Sequence, residues 1–500
     1  MKVLILLVAL AGAAYARPGG GHSFSGGHSY SSGSHSYSGG SHGYSGGSHS
    51  YSGGSHSYSS GHSYSSGTSH DDDYSYSYST HDSSSDDNGP VLPSARVVLF
   101  LLVVIVAFVV SIWLINRDDD RPVYTPDPPL DLSPLLARDP DFSRSVFEDF
   151  AYQLYSAARR ADADGLQRLA PYLSTEAMTD LGASRADQVV VGWLRIVGVR
   201  QLETKFQLVV RIEANLATRA GTRYMIERWM FTRDLLAMTK PPATRTWPCP
   251  NCGAPWQAGD DLRTCAHCSQ PIRPGEFDWA VAAITVDSVQ SEGQTLTGTV
   301  EEKGNDRPTI VEPRVFDTLG SLTADDPEVT WDAFQPRVHL IYRQLNKAWN
   351  ASDLTAVRGL ITHSLADYLR YWLDEYRRQG LANHLTEAQL TRLDLAKVTR
   401  DKWYDALTVR LFASGHDFTT RGDKVVGGSK TKDRPYTEYW TFLRSSARRG
   451  PIHKEPACPN CGVPLEISDA GACTHCNVML ENGSFDWVLS KIEQDDVYEG

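Results

Sequence analysis

Eight cysteines carry the clearest chemical signal in this 500-residue chain, and they fall into two groups of four. Cys249, Cys252, Cys265 and Cys268 are spaced C-x2-C-x12-C-x2-C; Cys458, Cys461, Cys473 and Cys476 are spaced C-x2-C-x11-C-x2-C. Two thiolates two residues apart can grip one metal ion from a tight knuckle, and a second knuckle across a short hairpin completes a tetrahedron. Gly253 and Gly462, directly after the second cysteine of each group, permit the positive φ that such a knuckle adopts. The pattern predicts two structural zinc ions. Four protein ligands leave no open position for water, so metal-based catalysis is not expected. The competing reading, disulfides or redox-active dithiols, requires an oxidising compartment. His267 and His475 sit inside the second knuckles and could replace a ligand; beside four cysteines they read as exposed knuckle residues.

The cysteine groups lie within a longer internal repeat. Cys-Pro-Asn-Cys-Gly-Ala-Pro from Cys249 returns as Cys-Pro-Asn-Cys-Gly-Val-Pro from Cys458, and Phe-Asp-Trp follows at Phe277 and Phe485. Upstream, Glu227-x-Trp229-x-Phe231-x-Arg233 corresponds to Glu438-x-Trp440-x-Phe442-x-Arg444. Each unit opens with a helix: Phe147, Phe150, Ala151, Leu154, Tyr155 and Ala158 recur at helical spacing, as do Phe334, Val338, Ile341, Tyr342, Leu345 and Trp349. A second helix follows, shorter in the first unit; in the other, Leu365, Tyr368, Leu369, Trp372, Leu373 and Tyr376 mark its buried face and Gly380 its stop. The pattern then alternates. Leu208, Val210, Ile212 and Ala214 share one face of a strand, as do Leu407, Val409, Leu411 and Ala413; the Glu-x-Trp-x-Phe-x-Arg stretches and residues 279–286 and 487–492 are further strands. Helices first and strands afterwards predict an α+β fold with an antiparallel sheet, each cysteine ribbon being an elaborated hairpin loop that its own metal must clamp. The predicted modules span residues 139–287, with a zinc ribbon at 249–268, and 326–495, with a zinc ribbon at 458–476. Residues 116–138 and 288–325 read as linkers, although 295–300 could form an extra strand.

The N-terminal part reads differently. Residues 1–16 have one cation, a short apolar run and Ala14-Tyr15-Ala16, the marks of a cleaved signal peptide. Residues 17–95 are rich in Gly, Ser, His and Tyr, with His28, His35, His42, His49 and His56 every seventh residue. Nothing in that repeat is apolar enough to bury, which predicts a disordered tail. Its nine histidines from His22 to His81 could also weakly collect divalent metal. Residues 97–115 are nineteen uncharged, almost wholly apolar residues. As a helix they would measure about 28 Å, which predicts a single transmembrane span. Cations follow this segment and are nearly absent before it, so the tail is expected outside and the modules in the cytosol.

Composition limits the function. With 60 acidic against 48 basic residues, a formal net charge of -12, the chain lacks the cationic surface of a nucleic-acid binder. From 455 to 490 there is no Lys or Arg at all. No Gly-rich phosphate loop opens a helix. An enzymatic or small-molecule-binding alternative would rest on the strand residues Arg211 with Glu227 and Arg410 with Glu438, whose plainer reading is a cross-strand ion pair at the sheet margin.

The helix from Trp331 to Trp349, the stop at Gly380, Val409-Arg410-Leu411 and Glu438-Tyr439-Trp440-Thr441-Phe442 resemble the bacterial relatives of the mitochondrial translocase of the inner membrane subunit forty-four, the import-motor tether. Cys458 to Cys476 followed by Phe485-Asp486-Trp487 looks like the ribbon of some bacterial members. The likeness covers the second unit well and the first more loosely. It implies two tandem cone-shaped modules similar to nuclear transport factor two, with helices on a curved antiparallel sheet. It further implies attachment to the membrane and binding of a cytosolic protein partner or lipid, with no catalytic residues to carry over. The chain departs from the mitochondrial members in its signal peptide, its transmembrane span, its two modules and its lack of their chaperone-contacting segment. The expectation is therefore a membrane-anchored, non-enzymatic scaffold.

Overall fold

The computed structural model describes residues 130–500, apart from residues 183–184, 220, 242–246, 258–259, 261, 292–295, 297–301, 303, 456, 465, 469–471, 479, 481–482 and 496. The expected signal peptide, tail and membrane span, and most of the first linker, lie outside the described residues. Within them, no helix is long and apolar enough to cross a membrane.

The described chain builds two antiparallel sheets, each preceded by helices. The first half runs α1 (Ser133–Arg138), α2 (Arg144–Arg160), α3 (Ala163–Arg168), α4 (Thr175–Leu181), then β1 (Gln188–Gln201), β2 (Lys205–Thr218), β3 (Gly221–Asp234) and β4 (Ala280–Gln290), paired in the order β1-β2-β3-β4. The second runs α5 (Val315–Asp325), α6 (Trp331–Asn350), α7 (His363–Arg378), β5 (Ala382–Arg400), β6 (Tyr404–Arg421), β7 (Lys424–Gly428), β8 (Arg434–Ser445) and β9 (Val488–Gln494). Its sheet order is β5-β6-β8-β9, with β7 added against the end of β6.

Local chemistry explains the boundaries. The Ser143 side chain accepts from Val146 N at the start of α2, and Thr330 accepts from Ala333 N at the start of α6, satisfying N–H groups that the first helical turn leaves free. Beyond α7, Gly380 takes φ +67° and turns the chain into β5. The alternating residues Leu208, Val210, Ile212 and Ala214 are fully buried, and Leu407, Val409 and Leu411 likewise.

Each half has its own core, and the same aromatic trio sits in both. Phe147 meets Phe231 and Trp279 edge-on, with ring centroids 5.3 and 5.2 Å apart. Phe334 meets Phe442 and Trp487 edge-on at 5.3 Å each. In both cases the opening helix, the third long strand and the last strand are pinned together by one cluster.

One expectation changes, and two strands were not foreseen. The stretch read as a flexible linker, 288–325, ends in helix α5, and its residues 304–312 are tied to the second sheet: Arg410 donates to the carbonyls of Gly304 and Arg307, and Ile310 N donates to Tyr439 Oη. Strands β1 and β5 also escape the alternation rule, because bulges at Val191/Trp193, Ile196/Gly198, Thr386/Gln389, Leu390/Arg392 and Leu395/Lys397 reset the period of two.

The two halves touch. Lys491 reaches Glu148 at 2.7 Å, Arg195 reaches Glu493 at 3.1 Å, and Trp403 Nε1 donates to Asp141 O at 3.1 Å. Val190, Tyr224 and Ile226 of the first sheet join the second core.

Candidate metal centres

Each ribbon fills the connection between two antiparallel neighbours, β3 and β4 or β8 and β9, as expected for an elaborated hairpin. The four knuckles share one backbone geometry. Gly253 N donates to Cys249 O at 2.9 Å and Gly462 N to Cys458 O at 2.8 Å; both glycines have positive φ, +73° and +74°. In the second knuckles the same turn is made by Ser269, φ 55°, and Asn477, φ 59°, whose amides reach Cys265 O and Cys473 O at 2.8 Å. Asn tolerates this region better than most residues; the Ser was not foreseeable from type alone.

The four sulfurs of each group converge to within 4.8 Å of one another. Cys249 and Cys268 are 3.9 Å apart and Cys252 and Cys265 3.8 Å; Cys458 and Cys476 are 3.7 Å apart and Cys461 and Cys473 3.9 Å. Four thiolates on a tetrahedral ion at about 2.3 Å would be about 3.8 Å apart, so the sulfurs stand where a single zinc-like ion needs them. A disulfide would require about 2.05 Å, and all eight are free thiols. The two tetrads can therefore each hold a metal ion.

Burial pushes the Cys249 and Cys458 thiols up to about 12, against the pull of backbone N–H groups of their own knuckles. Cys268 and Cys476 are held down to about 6, chiefly by the side chains of Asn251 and Asn460. Neither asparagine was singled out from the sequence, although Cys-Pro-Asn-Cys in both repeats was a usable signal. His267 Nδ1 lies 3.7 Å from the sulfur of Cys252, outside the convergent set of four.

The ribbons are tied to the sheets by buried cations. Arg233 pairs with Asp139 at 2.7 Å and stacks over Trp279 at 4.6 Å; Arg444 pairs with Asp326 at 3.0 Å and stacks over Trp487 at 4.9 Å. All four charged groups are buried. The finer ties differ. In the first half Lys240 donates to the carbonyls of Pro250 and Phe277, bridging the ribbon's entrance and exit. In the second, Arg337 from α6 donates to Trp487 O at 2.9 Å, and His453 N and Nδ1 meet Asp486 at 2.8 and 2.9 Å.

The expected pairs of Arg211 with Glu227 and Arg410 with Glu438 do not form. Glu227 lies opposite Ile212 and Arg211 opposite Arg228, so the two point to opposite faces of the sheet; Glu438 opposite Leu411 and Arg410 opposite Tyr439 are separated in the same way. Inside the first core Glu227 accepts from Tyr155 Oη at 2.7 Å and pairs with Arg159. Burial and then Glu227 push the Tyr155 phenol well above its ordinary range, which keeps it a neutral donor. Glu438 accepts from Trp440 Nε1 at 2.8 Å and Gln494 at 3.1 Å. On the opposite faces Arg211 pairs with Glu213 at 3.0 Å and Arg410 with Asp495 at 2.9 Å.

Residues 317–454 match the family model of the Tim44-like domain, so the chain contains a Tim44-like domain in its second half. No curated protein matches the chain. A solved structure titled "Ntf2 like protein involved in plasmid conjugation" is 8% identical over 70% of this chain and 94% of that one, with a TM-score of 0.15.

Proposed function

We propose that this chain is a membrane-anchored, non-enzymatic scaffold: two tandem, cone-shaped Tim44-like modules, each stiffened by a structural zinc ion, present a binding surface to a cytosolic protein partner and to lipid at a bacterial inner membrane. Residues 97–115 would be the anchor. The observation that carries this reading is the family match at 317–454, joined to the recurrence in the first half of the aromatic trio and the arginine–aspartate pair.

The enzymatic alternative draws on Glu227 and Glu438, and both are fully buried and already engaged by neighbouring side chains. A carboxylate in that setting serves packing better than proton transfer to a substrate. Proximity labelling from the C-terminal end of the full chain is expected to recover a defined cytosolic protein. Recovery of neither protein nor lipid contradicts the scaffold, and a turnover abolished by Glu438→Ala would establish the enzyme instead.

A further inference from the structure

We propose that Asn251 and Asn460 are positioning residues of the two metal centres, each tying the last cysteine of its tetrad to the opposite knuckle. Asn251 lies in the first knuckle, and its Nδ2 donates across the ribbon to Cys268 Sγ at 3.4 Å. Asn460 holds the same place in the second Cys-Pro-Asn-Cys repeat, and its side chain is the leading influence lowering the Cys476 thiol. The backbone N–H groups that reach the sulfurs come from the sulfur's own knuckle: Asn251 and Cys252 for Cys249, Ala254 for Cys252, Gln270 for Cys268. Those bonds shape one knuckle at a time. The asparagine bond joins the two, holding Cys268 against the first knuckle, so part of the entropy of bringing the knuckles together is lost on folding and not on metal capture. A partner that orients a ligand from outside the coordination sphere typically changes metal affinity 10- to 100-fold.

This inference rests on the reading of the tetrads as zinc centres. The experiment is zinc competition against a chromophoric chelator on the full-length chain, comparing wild type with Asn251→Ala and Asn460→Ala, followed by Co(II) absorption. Each alanine variant is expected to bind about tenfold more weakly at its own ribbon, through slower capture, and unchanged at the other ribbon. The four-thiolate charge-transfer band should persist, because no ligand is removed. Affinity within about twofold of wild type, or loss of that band, overturns the proposal. A wild type that binds no zinc overturns the underlying zinc reading instead. Asn251→Asp keeps the shape but replaces the donor with negative charge beside a thiolate, so it should bind more weakly than the alanine variant; equal or tighter binding also overturns the proposal.

Discussion

The two halves agree where a ribbon joins its sheet and differ in how each holds its interior acid. Phe147, Phe231 and Trp279 repeat as Phe334, Phe442 and Trp487, and Arg233 with Asp139 repeats as Arg444 with Asp326. By contrast Glu227 is held by Tyr155 and Arg159, whereas Glu438 is held by Trp440 and Gln494. The second sheet also carries β7 and a longer second helix. The difference teaches which features the architecture needs: a T-shaped aromatic cluster and one buried ion pair lock helix, strand and ribbon together, while the interior acid can find any set of donors that satisfies it.

The sharpest way to break this comparison is to remove the shared cation. Arg233→Met and Arg444→Met each leave a buried aspartate without its charge partner, and each should cost about 3–5 kcal/mol, read as a fall in denaturation midpoint of the full chain. Similar losses would support one shared lock; a large loss from only one would show that the two pairs are not equivalent.

A smaller effect separates the halves from one another. Burial pushes the Glu148 carboxyl up, but Lys491 and Arg144 outweigh it and hold it at about 2, below its ordinary 4.5. Because the folded value is depressed, its contribution is complete above about 4.5 and is lost as the pH falls toward about 2. Hydrogen exchange at the α2–β9 contact should therefore rise across that acid window in wild type and lose the dependence in Glu148→Gln. With Lys491 half exposed, the substitution should cost only about 1–2 kcal/mol.

The smallest expected effect sharpens the likeness of the ribbons. Gly253 and Gly462 have positive φ and nothing within 4 Å of an added Cβ, so alanine meets backbone strain alone. Each substitution should cost about 1 kcal/mol, roughly a fivefold loss of zinc affinity by chelator competition, equal at the two ribbons.

Much of this was legible in the residues. The stripes ending in Trp349 and Ala158, the buried alternation through Val210 and Val409, and the placement of both ribbons between paired strands all follow from period and spacing. The missing parts have physical causes. Bulges erased the period of two in β1 and β5, and the polar stretch before α5 hid backbone carbonyls that a buried arginine needs. The partner of a charged strand residue depends on register, and a one-residue offset put Arg211 and Glu227 on opposite faces. At the tetrads the ligands were evident from cysteine spacing, whereas the role of Asn251 required seeing which sulfur lay across the hairpin.

Native mass spectrometry of the full-length chain, prepared without added chelator and followed by thiol counting after denaturation, tests the central claim most directly. Two closed four-thiolate centres predict two zinc ions per chain and eight alkylatable cysteines once the metal is stripped. A metal-free mass with the cysteines joined in disulfides would contradict it.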